Sequence, residues 1–211
     1  MKIGIIGSGS VAQALGTGFI AVGHQVMLGT RDAGKLKQWA SDSGGSVGTF
    51  SEAAAFAEVA VLAVKGSAAA DALKLAGVEN LASKPLIDAC NPIADAPPED
   101  GVLQFFTGPN ESLMEQLQKI TPASHLVKAF SCIGSALMVN PNFKAGKPTM
   151  FICGNDEKSK TVVASLCVSL GFEVEDMGSA VAARAIEPLC MLWCIPGFKN
   201  NEWRHAFKLL K

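Results

Sequence analysis

The spacing of apolar residues changes period once within the first 24 positions. Residues 3–6 are Ile-Gly-Ile-Ile, a short and mostly β-branched run of the kind that forms a strand buried on both faces. From Ser10 onward the apolar positions are Val11, Leu15, Phe19 and Val22, which share one face of a helix, and Gly23 stands where a helix stops. Gly7, Ser8 and Gly9 join the two patterns, so a tight strand-to-helix turn is predicted there.

Short apolar runs and helical stretches go on alternating along the chain. Residues 25–28 read as a second strand, 33–40 as a helix capped by Asp32, and 46–49 as a short third strand after Gly44-Gly45. Ser51 looks like the cap of an alanine-rich helix through residue 57, and 59–64 form the clearest buried strand after the first. A helix over 68–75 and a fifth strand over 85–89 follow. Residues 94–108 are rich in proline, glycine and acids and show no clear element, so they read as a loop of the kind that forms lids. Beyond it the pattern predicts a helix over 112–119 and strands over 126–130 and 150–153. A helix over 157–170, capped by Asn155-Asp156 and ended by Gly171, leads to a last short strand over 172–175. Helices over 180–193 and 202–210 finish the chain.

This order predicts an α/β protein with a Rossmann-type, doubly wound, mostly parallel sheet, helices on both faces, and a small C-terminal helical appendage to a single domain. Residues 1–130 read as the dinucleotide-binding core and 131–211 as smaller C-terminal strands and helices. No repeat beyond the two βαβ halves is visible.

Composition narrows the class. Of 211 residues, 49% are hydrophobic and 18% charged, which excludes disorder, and a net charge of -1 without a Lys/Arg cluster gives no electrostatic reason to expect nucleic acid. No apolar run reads as membrane-spanning, and Gly4 and Gly7 break the N-terminal run that a signal peptide would need. The six cysteines lack a C-x-x-C pair, which fits reduced thiols. A cytoplasmic protein without a membrane partner is therefore expected. Cys190 and Cys194 share a helical face, but no histidine stands at ligand spacing, so they read as packing and no metal site is expected.

Candidate chemistry begins at the first turn. Gly7, Gly9 and Ala12 match the G-x-G-x-x-G/A spacing of a dinucleotide-binding turn, in which Gly7 allows the bend, Gly9 lets backbone approach a pyrophosphate, and Ala12 lets helix and strand pack closely. The free amides of the following helix are an anion site. Gly29-Thr30-Arg31-Asp32 then occupies the corner that chooses the nicotinamide cofactor. NAD needs a carboxylate there for the ribose hydroxyls, whereas the 2'-phosphate of NADP calls for hydroxyl and guanidinium groups. Thr30 and Arg31 supply the latter, Asp32 is assigned to the helix cap, and Lys35 points back one turn later, so NADP(H) is the expected cofactor.

Further candidates lie at strand ends. Val64 and Lys65 close the fourth strand at the carboxyl edge, where Lys65 either touches cofactor or is merely solvated. Asn91, held extended by Pro92, either faces a nicotinamide carboxamide or closes an Asn-Pro turn. Ser131 and Cys132 follow the sixth strand and are the candidates nearest the nicotinamide, although no base neighbours Cys132 to make it a nucleophile. His24 and His125 read as structural and His205 as solvated on a terminal helix. Arg184 either clamps an anionic substrate tail or forms a surface salt bridge.

The run from Gly7 to Ala12, with Gly29-Thr30-Arg31, Asn91-Pro92, Val127 to Phe130, Phe151 to Asp156 and Glu187-Pro188-Leu189, resembles the reductases related to coenzyme F-420-dependent NADP oxidoreductase, to which the cytoplasmic domain of the STEAP metalloreductases is also similar. The resemblance implies that Ser8, Gly9, Ser10 and Val11 wrap the pyrophosphate and that Thr30, Arg31 and Lys35 hold the 2'-phosphate. It also implies a homodimer in which hydride passes directly between nicotinamide and a stacked deazaflavin. Such transfer needs positioning and exclusion of water more than an acid or base. After the Ala-Phe of the sixth strand this chain has Ser131-Cys132 where the family usually has Asn-Thr or His-Thr, so the acceptor side departs from the pattern.

The expected activity is an NADPH-dependent oxidoreductase passing hydride to a small-molecule redox partner that is flat: deazaflavin, flavin or quinone-like. A module that binds NADPH without turnover is the alternative. A β-hydroxyacid dehydrogenase or imine reductase is set aside, because strands at 150–153 and 172–175 leave no room for the all-helical second domain of those enzymes.

Overall fold

The computed structural model describes residues 1–211. Strands β1 (Lys2–Ile6), β2 (Gln25–Gly29), β3 (Ser46–Gly48), β4 (Val59–Leu62), β5 (Pro85–Asp88), β6 (His125–Lys128), β7 (Thr149–Gly154) and β8 (Glu173–Asp176) form one sheet in the order β3-β2-β1-β4-β5-β6-β7-β8. Pairing is parallel except where β7 meets β6. The strand order reverses between β1 and β4, the switch point at which doubly wound folds open a crevice. Register aligns the carboxyl ends there, since Ile6 stands opposite both Gly29 and Leu62, Leu62 opposite Asp88, and Asp88 opposite Lys128.

Alternation along the strands feeds two cores. Ile3, Ile5, Val59, Val61, Ile87 and Val127 point to one face and pack with Leu15 and Phe19 of α1 (Ser10–Ala21), Trp39 of α2 (Lys37–Ser43), and Val163 and Leu166 of α6 (Glu157–Ser169). Ile6, Ala60, Leu62, Leu86 and Leu126 point to the other. They meet Phe50 and Ala54 of α3 (Phe50–Phe56), Leu73 of α4 (Ala69–Ala76), Leu117 of α5 (Leu113–Ile120) and Ile186 of α7 (Ala183–Ile186). Ile3, Ile5 and Ile6 are fully buried, each contributing roughly 1.5–3 kcal/mol of hydrophobic stabilisation.

Five expectations need correction, the first being the cap of α3, which is Thr49 and not Ser51: Thr49 Oγ1 accepts from Glu52 N at 3.1 Å, and the helix is under way before Ser51. Residues 202–210 are not a helix: α8 (Leu189–Asn200) ends at Asn201, whose φ is 56°, and the chain continues as a strap without regular secondary structure. Thr149 N donates to Phe207 O at 2.9 Å, and Trp203 packs on Gly197, so the helical spacing of these aromatics serves tertiary contacts instead. Residues 94–108 are not shapeless. Ile93 bridges Phe105 and Glu99 bridges Val102 across a turn in which Asp100 and Gly101 have φ of 47° and 83°, the mirror-image geometry of a tight hairpin. The Asp-Gly pair was the available signal. Helical structure at 33–40 is a 3-10 turn (Ala33–Leu36) followed by α2. Finally, Ala180–Asn200 is a helical run of 21 residues with mean hydropathy 1.3, long and apolar enough by those measures to cross a membrane. Its Glu187 is buried in an ion cluster with the sheet, which ties the run to this domain.

Candidate functional site

A cavity of about 470 Å³ opens at the switch point. Its floor is the turn from Gly7 to Val11, one wall is Thr30 to Asp32 with Lys35, and the other is Ala63 to Lys65 with α4. Gly7 is required by close approach: a β-carbon there would lie 2.2 Å from Ala63 O. Nothing of the protein stands within 4 Å of the β-carbon position of Gly9, so the turn presents bare backbone to the cavity. Gly9 is also the N-cap of α1 and offers no side chain to its first amides. Those donors, at the positive end of a helix, face the cavity and suit a pyrophosphate.

The corner after β2 is held by local hydrogen bonds. Thr30 is buried, and its Oγ1 accepts from Asp32 N at 3.1 Å and donates to Asp32 O at 3.2 Å. Asp32 Oδ1 accepts from Gly34 N at 2.9 Å and so caps the following turn, the role assigned to it from sequence. Arg31 and Lys35 are exposed, line the cavity, and make no ion pair or side-chain hydrogen bond. Two free cations thus flank one open corner.

The remaining candidates separate. Val64 and Lys65 line the cavity, and Lys65 Nζ is paired with Asp95 of the 93–105 hairpin in a salt bridge whose side chains are both well exposed. Asn91, Pro92, Ser131 and Cys132 do not line it. Asn91 Nδ2 donates to Ser131 O at 2.7 Å, which brings the ends of β5 and β6 together, and Ser131 and Cys132 are 3% and 4% exposed. Burial pushes the Cys132 thiol up to about 12, and a protonated thiol is no nucleophile. Asn91 Oδ1 and Ser131 Oγ are buried without a hydrogen-bond partner.

Other sequence candidates take structural places. Arg184 binds Glu115 through both Nε and Nη2, at 3.0 and 2.7 Å, which is the salt-bridge reading. His205 is not on a helix: it lies on the strap, its Nε2 2.7 Å from Trp193 O and its ring against the Trp193 indole. His125 stands 3.9 Å from Asp156, and His24 lies 3.4 Å from the N-terminal amine. Sequence reasoning missed the buried cluster of Asp88, Lys128 and Glu187, whose members lie far apart in the chain.

Known proteins resemble the chain in sequence and in fold. Residues 2–92 match the family described as NADP oxidoreductase, coenzyme F-420-dependent. A structure from Arthrobacter sp. FB24, assigned as an F-420-dependent NADP-reductase, matches over 100% of both chains at 32% identity with a TM-score of 0.93. The chain belongs to the coenzyme F-420-dependent NADP oxidoreductase family. Metalloreductase STEAP3 of Rattus norvegicus is 34% identical over 200 residues, which span 92% of this chain and 38% of that protein. A hypothetical protein from Sinorhizobium meliloti, at 24% identity, shares the fold over 100% of this chain and 95% of that one, with a TM-score of 0.75. Members of this oxidoreductase family are NADP-dependent, and the open corner with two free cations agrees with that cofactor.

Proposed function

We propose that this chain is an NADPH-dependent reductase that passes hydride to a flat redox partner, a deazaflavin of the F-420 type first and a flavin or quinone next. The observation that carries the reading is the coincidence, in one cavity, of uncapped helix amides at Ser10 and Val11 with unpaired Arg31 and Lys35. The two donor sets match the pyrophosphate and the 2'-phosphate of one dinucleotide, and the carboxylate at the corner, Asp32, has its Oδ1 engaged as a cap.

Bound NADPH supplies the hydride. The protein's part is placement: Ser8 and Gly9 give the backbone cradle, Val64 and Lys65 flank the cavity beyond β4, and Asn91 with Ser131 lies farther along the same edge. Asn91 Oδ1 and Ser131 Oγ, unpartnered and sealed from the cavity, match the donors of a primary carboxamide that enters when this edge opens. The acid and base at this edge, Asp88 and Lys128, are wholly buried against each other, in keeping with a transfer that needs alignment and a dry site. Measuring NADPH oxidation against deazaflavin, flavin and quinone acceptors tests the reading, and inactivity with every acceptor would sink it. The closed state of Ser131 and Cys132 favours a second reading, a module that binds NADPH without turnover. Tight binding without oxidation selects that one.

The same proposal includes a cytoplasmic homodimer. The homodimer rests on the family resemblance, and Leu192 and Phe198 of α8 are 56% and 45% exposed on different sides of the helix. Five of the six free thiols are buried, as suits a reducing compartment. Sedimentation analysis and cell fractionation check these two points.

A further inference from the structure

Lys128, the last residue of β6, stands in register with Asp88, the last residue of β5, and both side chains are wholly buried. The ammonium lies 2.6 Å from Asp88 Oδ2, 2.7 Å from Glu187 Oε1 and 3.0 Å from Cys90 O. Of the three, Cys90 O accepts a hydrogen bond, and the two carboxylates hold the ammonium by charge. Burial opposes the charge, but Asp88 and Glu187 outweigh it and hold Lys128 above the ordinary lysine range.

Glu187 works as a tie between elements, accepting from Leu113 N at 2.9 Å and Met114 N at 3.0 Å, the first amides of α5. Asp88 and Lys128 act on one peptide segment instead. Asp88 Oδ1 accepts from Cys90 N at 3.0 Å while Lys128 donates to Cys90 O. Both backbone groups of Cys90 are therefore gripped by buried charges, directly before Asn91. On the far side, Gly66 is pressed against Asn91, since a β-carbon there would lie 2.0 Å from Asn91 O. The Asn91 side chain is oriented by chemistry as well as by packing. A peptide oxygen can only accept, so the amide turns its NH2 to Ser131 O and leaves Oδ1 buried without a partner.

We propose that Asp88 and Lys128 are positioning residues for the nicotinamide end of the site: by gripping the Cys90 backbone they fix the direction of Asn91, whose buried and unpartnered amide oxygen meets a primary carboxamide once this edge opens. This rests on the NADPH reading above. It assigns the cluster a purpose beyond stability, because a merely structural ion cluster would not care which half of the dinucleotide is present.

The test compares two ligands on the full chain by titration calorimetry: NADPH, and 2'-phospho-ADP-ribose, which keeps the phosphates but lacks the nicotinamide. Asp88→Asn is expected to weaken NADPH roughly tenfold, equivalent to about 1.4 kcal/mol or one hydrogen bond, and to leave the fragment unchanged. Adding Asp88→Asn to Asn91→Leu is expected to cost nothing further, since both act through one amide. Equal losses for the two ligands, or losses that add, overturn the proposal. Wild-type chain that binds the fragment as tightly as NADPH would bring down the nicotinamide reading itself, and this proposal with it. Hydrogen exchange on wild-type chain covers the case in which Asp88→Asn does not fold. The Cys90 amide should then be among the slowest to exchange, and exchange as fast as in the 93–105 hairpin overturns the grip.

Discussion

The two ends of the carboxyl edge are built by opposite means. Around β1, α1 and β2 the polar groups are left available: the first amides of α1 have no side-chain cap, and Arg31 and Lys35 have no partner. Around the ends of β5 and β6 the charges are consumed by one another, with Asp88, Lys128 and Glu187 at most 2% exposed by side chain. The first end is prepared for a ligand that brings its own charge. The second spends its charges on holding backbone in place, as a site for an uncharged ring requires. The lesson is that recognition of phosphate and alignment of a reacting ring call for free and committed ions respectively.

The comparison breaks most visibly if the committed cluster is opened. Lys128→Met leaves Asp88 and Glu187 buried without their cation, which costs about 3–5 kcal/mol. In a chain of this size that corresponds to a melting temperature lower by roughly 10 °C. A loss under about 1 kcal/mol in thermal unfolding would mean that solvent reaches the cluster after all.

Opening the other end should affect binding and not folding. Arg31→Ala removes a charged donor from an exposed corner, so the expected effect is a loss of roughly 10- to 100-fold in NADPH affinity, from charge-assisted hydrogen bonds worth about 1.5–3 kcal/mol. Affinity for NADH should change less than about twofold, since that ligand lacks the group Arg31 would hold. Equal losses for both dinucleotides would count against the cofactor assignment.

Why the first end was legible and the second was not follows from chain distance. Gly7, Gly9 and Ala12, and then Thr30 to Lys35, carry their meaning within a single turn or strand end, and the spacing alone marks them. Asp88, Lys128 and Glu187 are brought together only by the pairing of β5 with β6 and the approach of the turn that ends α7. Nothing local in the sequence marks that meeting. The misread segments show the same contrast. Asp100-Gly101 did hold a local hairpin signal, whereas the strap over 201–211 is not helical because Thr149 and Trp193 claim its backbone and His205 from across the molecule. Helical spacing of apolar residues cannot distinguish that from a helix.

A milder effect concerns the rim between the two ends. Glu115 is lowered to about 2, first by its hydrogen bonds to Arg184 and then, against burial, by those to Ser112. A carboxylate depressed from its ordinary value of 4.5 contributes stability that is fully present above that pH and is lost as pH falls toward 2. Glu115→Gln should therefore lower stability at neutral pH slightly and flatten the acid limb of a stability curve between those values. An unchanged acid limb would show that the Arg184 pair is too solvated to matter.

The smallest effect leaves folding and affinity alone and asks only whether the acceptor edge is closed. Cys132 and Cys194 lie in the same region, yet their thiols differ: burial raises Cys132 to about 12, whereas contact with Cys190 lowers the half-buried Cys194. Thiolate, and not thiol, attacks iodoacetamide. Under mild alkylation near pH 8, mass mapping should find Cys194 labelled first and Cys132 labelled only after unfolding. If Cys132 reacted as fast as Cys194, the loop after β6 would open on the timescale of the reagent, and the buried state of Ser131 beside it would be one of two conformations rather than the resting one. The rates would then report directly how freely a flat partner enters, since the motion that exposes Cys132 also clears the edge on which Asn91 and Ser131 meet.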